Sequence, residues 1–309
     1  MNDCSYSGIV QGLTESIRLD RYAAEILRLL SRSQIKSRCL EAKLNGKDVK
    51  ISRLVKNGDE LQLCWQPSVP LYLEPENIPL KKIYEDDRCV VINKEQGMVV
   101  HPGAGNYSGT LANALLWNHT TRYEQQHYRN GIVHRLDKDT SGVIIAAYDD
   151  EALAFLSAQF KAKTVRKRYL ALVQGIPQNN KGAILTRLIR DPRDRKRFTA
   201  IPNEAGLTNK QAGKIALTRY RLLKSWPGYS LLLLEPRTGR THQLRVHLKY
   251  LGNPIAGDPV YNPQCDGTLM LHALSLAIVI PGESKQRLFK APMPTRFKEK
   301  IKELEKKDK

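Results

Sequence analysis

The chain has 309 residues, of which 41% are hydrophobic, so a sizeable core is available and two domains fit comfortably. Fifty Lys and Arg stand against 31 Asp and Glu, a formal net charge of +19, which points to a polyanionic partner, nucleic acid foremost. No apolar run approaches a membrane span, the first residues lack a basic-then-apolar signal pattern, and the five scattered cysteines (Cys4, Cys39, Cys64, Cys89, Cys265) form no C-x-x-C pair. A cytoplasmic protein with reduced, mostly buried thiols is expected, without disulfide frame or zinc.

In chain order, Leu19, Tyr22, Ala23, Ile26, Leu27 and Leu30 recur at helical spacing. The run S-R-S-Q-I-K-S-R at 31–38 reads as a second short helix capped by Ser33, with its cations, Arg32 and Lys36 among them, turned outward. Strand-like stretches follow, with turns at Asn45-Gly46 and Asn57-Gly58. Pro67, Pro70, Pro75 and Pro79 then mark an extended linker. The expected division is a small domain over 1–66, a proline-rich linker over 67–79 and a large domain over 80–309.

In the large domain, Cys89 to Asn93 reads as a strand, and Met98 to Gly103 as a strand entering a tight turn. A helix over Thr110 to Trp117 is capped by Thr110. Val143 to Ala147 is a buried strand, followed by a helix through Phe160 with acids at its start. Arg168 to Gln174 and Leu231 to Leu234 are further strands, and Thr241 to Leu251 is an amphipathic helix ending at Gly252. The charged C-terminal stretch is a surface helix or a frayed tail. This interleaving indicates an α+β domain around one mixed sheet.

Several chemistries are missing. No H-E-x-x-H, phosphate-loop or G-x-S-x-G motif occurs, and Gly103, Gly105 and Gly109 miss the dinucleotide spacing. No metal and no cofactor are expected, and His242 and His247 read as structural. What stands out is H-R-L-D-K-D-T-S-G at 134–142, too rich in polar groups for a bland turn beside a buried strand. Two later clusters accompany it, K-R-Y-L-A-L-V-Q-G at 167–175 and E-P-R-T-G-R-T-H-Q-L-R-V-H-L at 235–248, then L-H-A at 271–273. All adjoin strand or helix patterns, where a rigid scaffold presents reacting groups.

Together and in this order, these motifs resemble the RluA-type pseudouridine synthases over roughly residues 80–295. H-P-G-x-G at 101–105 and G-T-L-A-N-A-L at 109–115 fit as well. The pattern R-L-D-x-x-x-A-E, S-R-S, L-N-G-K and K-N-G-D-E-L over about 17–64 resembles the alpha-L, ribosomal S-four-type, RNA-binding module. The resemblance implies a pseudouridine synthase fold with a mixed, largely antiparallel sheet, plus a small N-terminal α/β RNA-binding domain. It implies isomerisation of uridine to pseudouridine, with large-subunit ribosomal RNA the first substrate expected and transfer RNA the second, by a monomer needing no cofactor. The alternative from another class is a catalytically silent RNA-binding or ribosome-assembly factor on the same fold.

Asp137 matches the family's catalytic aspartate, a carboxylate suited to nucleophilic attack or to stabilising an electron-deficient ribose. Arg245 matches the arginine paired with it, where a planar guanidinium suits bidentate contact. Tyr169 matches the tyrosine against the target base, its ring for stacking and its hydroxyl as a candidate proton acceptor. Leu271 is expected to pack on the base, and Arg135 to fill the stack vacated by the flipped uridine or to hold a phosphate. His134 and Thr140 shape the loop by hydrogen bonds to backbone, and Asp139 is a turn residue. Arg237 and Arg240 contact phosphate or ribose, or pair with carboxylates. Arg32 and Lys36 bind RNA from the small domain. The basic runs Lys161 to Arg168 and Arg187 to Arg197 track the RNA backbone.

Overall fold

Strands buried on both faces read as unbroken apolar runs. Cys89–Lys94 and Ser141–Ala147 are such runs, and they pair antiparallel near one side of a ten-stranded sheet. The structure, a computed structural model, describes residues 4–66, 73–103, 105–118, 131–194, 197–203 and 213–308. Pro67 and Pro70 of the expected linker, and 195–196 of the second basic run, lie outside them.

The sheet runs Phe198–Pro202, Lys181–Arg190, Lys214–Trp226, Tyr229–Pro236, Arg166–Gln174, Leu271–Ile278, Ser141–Ala147, Cys89–Lys94, Lys82–Glu85. Arg287–Lys290 adds beside Leu271–Ile278. All pairings are antiparallel except one, Leu271–Ile278 against Ser141–Ala147. At that parallel seam His272 faces Ser141 and Ala273 faces Gly142. Gly142 has φ +114°, and a Cβ there would stand 2.2 Å from the Ala273 carbonyl oxygen. Only glycine lets the polar stretch at 134–141 enter the strand so close to its neighbour.

Helices close the sheet. Leu244 and Leu248 of Gln243–Tyr250, with Phe297 and Leu304 of Thr295–Lys307, join Leu170, Leu172, Leu232 and Leu234 in the largest core cluster. The C-terminal stretch is therefore an anchored helix, since two apolar residues seven apart give it one buried face. Asp150–Ala162, capped by the Asp149 carboxylate on the Ala152 N–H, packs Leu156 on Val143 and Ile145. Leu111–Asn118, with Thr110 at its start as expected, covers Val90 and Ile92 in a cluster that also takes Leu136.

The chain divides into two compact units, Met1–Leu71 and Tyr72–Lys309. Residues 73–79 of the expected linker are extended but tied to the large unit. Asn113 Nδ2 donates to the Glu74 carbonyl at 2.8 Å, and the Gly109 N–H meets the Glu76 carboxylate at 2.9–3.0 Å.

In the small unit a four-stranded and a two-stranded sheet pack with short helices around Leu19, Tyr22, Ile35, Leu61 and Leu63. Asn45 and Gly46 take positive φ in the hairpin that the sequence indicated. Three expectations are corrected. The first helix is one α turn, Leu19–Arg21, continued by a wider π-type turn over Tyr22–Ile26. The second, Arg32–Arg38, is capped by Ser31 through a capping box with Gln34, not by Ser33; Gln34 supplies the reciprocal acceptor three residues on. Met98 to Gly103 forms only isolated bridges, Val99 with Thr110 and Gly103 with Asn106. All five cysteines are free, but only Cys89 is fully buried; the others stand at half-exposed positions on strands and loops.

Two histidines fully inside the large unit make its stability pH-dependent. His247 bridges the hydroxyls of Thr186 and Thr218, and burial pushes it down to about 4. His272 is held down to about 4 by burial and by Arg296. Unfolded histidine titrates near 6.5, so between about pH 6.5 and 4 the unfolded chain binds protons that the folded chain refuses. Stability is therefore expected to fall as pH falls through this window, by up to about 1.4 kcal/mol per pH unit for each histidine. Urea midpoints between about pH 7 and pH 5 check this; a His247→Asn variant should lose its share of the slope.

Candidate active site

The 134–142 stretch is held from below at several points, which leaves Asp137 at its crest. His134 Nε2 accepts the Ile145 N–H at 3.1 Å while its ring stacks on Phe160, centroids 4.5 Å apart. That bond needs an unprotonated nitrogen, and burial with the nearby Lys167 ammonium pushes His134 down to about 3. Leu136 points into the core. Lys94, fully buried, gives all its donors to backbone: Glu95 at 2.9 Å, Met98 at 2.8 Å and Lys138 at 3.0 Å. Burial pushes its ammonium down to about 8 against the pull of Asp139 and Asp137. Gln96 donates to the Asp139 carbonyl, and the Thr140 N–H closes a turn on the Asp137 carbonyl. Ser141 Oγ accepts from Arg296 at 2.7 Å and meets His272 Nδ1 at 2.8 Å. Thr140 differs from expectation, because its buried hydroxyl has no partner among the described residues, where its N–H shapes the loop.

Asp137 is 22% exposed and faces a cleft of about 540 Å³ lined by Tyr169, Leu271, Arg245 and the 236–243 segment. The structure thus brings together residues more than 100 positions apart. Tyr169 comes from the centre of the sheet on Arg166–Gln174, whose next neighbour, Leu271–Ile278, carries Leu271. Arg245 sits on the buried face of Gln243–Tyr250. That helix starts from His242 with φ +55°, and Gln243 ties its entry down, accepting from Thr238 and the Arg240 N–H and donating to Leu217 and Thr218. The hydroxyls and amide of T-G-R-T-H-Q therefore build the wall of the cleft.

Arg245 pairs with Asp137 as expected, but through one nitrogen at ion-pair distance and not by a bidentate hydrogen bond. Its Nε and Nη2 both reach Asp258 at 2.7 Å, and Nη1 lies 3.8 Å from Asp137. Asp258 is fully buried and also accepts the N–H groups of Val260 and Tyr261. Burial pushes its carboxyl up, but Arg245 and those N–H groups outweigh this, so it stays below the usual carboxylate range. The bidentate place goes to Asp258 because a carboxylate sealed from water needs a charged partner more than the half-open Asp137 does. Asp258 gave no signal beyond an acid in G-D-P, which reads as a turn. Lys94, a cation ending an apolar strand, was the more visible omission.

Tyr169 is also altered. Burial, then the Asp137 charge, pushes its phenol well above the usual tyrosine range. The neutral phenol is therefore favoured over the phenolate at this position. Leu271 is buried in the cleft wall. Arg135, Arg237 and Arg240 are exposed on the cleft, and none pairs with a carboxylate among the described residues. Arg240 Nε reaches only the Ile215 carbonyl, at 3.3 Å. Of the basic runs, Lys161, Lys163 and Lys167 line the cleft. Arg187, Arg190 and Arg197 instead turn onto the Gly213 carbonyl, the Phe198 ring and the Tyr261 ring. In the small unit, Arg32 shares Asp20 with Arg18, and Lys36 is exposed at the same shallow depression. The described residues contain no cluster of acids, histidines or cysteines able to hold a metal. No helix among them is long and apolar enough to cross a membrane.

Residues 88–250, more than half of the chain and including the Asp137 loop, Tyr169 and Arg245, match the sequence model of the RNA pseudouridylate synthases. The chain belongs to that family. The synthase is 43% identical over 296 residues to ribosomal large subunit pseudouridine synthase D of Borreliella burgdorferi, covering 91% of this chain and 88% of that protein. It is 35% identical over 299 residues to the uncharacterized RNA pseudouridine synthase YlyB of Bacillus subtilis, covering 94% and 95%. Among solved structures it resembles human RNA pseudouridylate synthase domain containing 1, at 25% identity and a TM-score of 0.55 over 74% of this chain and 96% of that one. The expected RluA type and the α+β fold with a mixed, largely antiparallel sheet are borne out. The synthase is an RNA-modifying isomerase.

Proposed function

We propose that this synthase isomerises uridines of large-subunit ribosomal RNA, with Asp137 as the catalytic carboxylate. The observation that carries the reading is the charge of the cleft. Among the described residues its walls hold seven cations, Arg135, Lys161, Lys163, Lys167, Arg237, Arg240 and Arg245, and one carboxylate, Asp137. A polyanion is drawn to such a rim, while the lone carboxylate is left for chemistry rather than for neutralising a neighbour. The relatives named for the large ribosomal subunit supply the RNA class.

In this reading the target uridine leaves its stack, at a cost of about a few kcal/mol, and Arg135, free at the cleft mouth, fills the gap. Uracil enters between Tyr169 and Leu271. The Asp137 carboxylate supports the electron-deficient sugar as the bond to nitrogen breaks. The base turns, carbon 5 bonds to the sugar in place of nitrogen 1, carbon 5 loses its proton and nitrogen 1 takes one up, so the exchange balances, while Tyr169 stacks on the base. Nothing is oxidised and no group is imported. The small unit, with Arg32 and Lys36 beside Lys50 and Arg18, holds a neighbouring stretch of the same RNA. Free thiols agree with a cytoplasmic setting, where that RNA is made.

Pseudouridine mapping of total RNA with and without the gene tests this. Sites in large-subunit RNA are expected to vanish on deletion and return with the wild-type gene. Vanished sites confined to transfer RNA would overturn the substrate class.

A further inference from the structure

We propose that Lys167 is a phosphate-binding residue of the cleft, taking a backbone phosphate that flanks the nucleotide whose base meets Tyr169. The inference rests on the placing of the base proposed above and adds the anchor for its backbone.

Two lysines of the synthase, one fully buried and one half-buried, differ in what their ammonium groups meet. Lys94 is consumed by structure, with its ammonium on three carbonyl oxygens. Lys167 is half-buried, and desolvation alone holds its ammonium below the usual lysine range. Yet no carboxylate or carbonyl of the described residues accepts from it. An ammonium carries three donors, and holding one half-dry without an acceptor is costly unless a ligand brings the acceptor. A phosphate offers both the charge and the oxygens.

Position supports this. Lys167 and Tyr169 are two residues apart on one strand, so their side chains leave the same face, and both line the cleft. The spacing along a strand, about 6–7 Å, suits one nucleotide presenting its base to Tyr169 and a phosphate to Lys167. The ammonium stands beside Gly239, 3.7 Å from where a Cβ would be, on the opposite wall. Its charge also reaches His134 under the Asp137 loop. It therefore stands between the two loops that frame the cleft. The missing side chain at Gly239 leaves the approach open to a bulky anion.

The test uses full-length protein and unmodified large-subunit ribosomal RNA transcribed in vitro, then an oligonucleotide spanning the uridine that the wild type converts. Lys167→Met is expected to raise KM on the order of ten- to a hundredfold with kcat little changed. It should also lower the salt dependence by about one ion, and Lys167→Arg should restore most of both. An uncharged methylphosphonate placed in turn at the phosphates flanking the target should weaken wild-type turnover at one position, while adding no further loss to Lys167→Met. This RNA-side change needs no altered protein, so it stands if a variant folds poorly. Additive losses at both phosphates, or a fall in kcat with unchanged KM and salt slope, would overturn the proposal and make Lys167 a support of the loop. Asp137→Asn in the same assay separates the two readings: pseudouridine still formed there sinks the placing of the base, whatever Lys167 does.

Discussion

Asp137→Asn is expected to lower pseudouridine formation by at least about a thousandfold while leaving the fold intact, as loss of an essential catalytic group does. The amide has the shape of the carboxylate but neither its charge nor its nucleophilicity. Among the described residues no second carboxylate lines the cleft to replace it. The stability side follows from the geometry. Arg245 stands 3.8 Å from Asp137 but is bound to Asp258 at 2.7 Å, so its charge stays compensated in the variant. The loop is tied through His134, Lys138, Asp139 and Ser141, none through the Asp137 side chain. Unfolding in urea should therefore shift by less than about 1 kcal/mol. Single-turnover assays with quantified pseudouridine check the rate; substantial residual conversion would remove Asp137 from the reaction.

Asp258→Asn should do the opposite, costing stability first and activity as a consequence. Removing one partner of a buried ion pair leaves the other uncompensated, about 3–5 kcal/mol. Arg245 is 5% exposed in its side chain and Asp258 is sealed, so water cannot step in. The one remaining carboxylate near the guanidinium is Asp137. Arg245 is expected to close on it, drawing it out of line, and misplacement of about 1 Å at a reacting group costs on the order of a hundredfold in rate. Denaturation midpoints and kcat measured together decide the matter. A variant as stable as the wild type would show that the pair is not the anchor the geometry describes.

The legible part of the site lay where chemistry and local pattern coincide. Asp137, Tyr169 and Arg245 sit in polar clusters beside apolar strands or on an amphipathic helix, and all three face one cleft. The elements that carry Tyr169 and Arg245, Arg166–Gln174 and Gln243–Tyr250, and the strand that follows the Asp137 loop, Ser141–Ala147, were foreseen to within a few residues, because buried runs and helical periodicity are local signals. Met98 to Gly103 misled because an apolar hexapeptide has strand character whether or not a neighbouring edge is free to pair with it. Ser33 misled because two serines flank Arg32, and only Ser31 has Gln34 in step as its reciprocal partner.

The sequence by itself determined which residue types gather at the cleft: cations from a strongly basic chain, a nonapeptide with two carboxylates, Asp137 and Asp139, one tyrosine on a strand and one arginine on a helix. The charge follows from composition, and Asp137, Tyr169 and Arg245 from short motifs that resemble the family's. The tertiary structure alone decided how the charges divide. It gave the bidentate bonds of Arg245 to Asp258 and left Asp137 one contact at 3.8 Å, spent Lys94 on three carbonyls, and left Lys167 without an acceptor among the described residues. Such pairings depend on distance and on how much water each group keeps, because burial sets what a charge costs and geometry sets what compensates it. Neither is written in the order of residues along the chain.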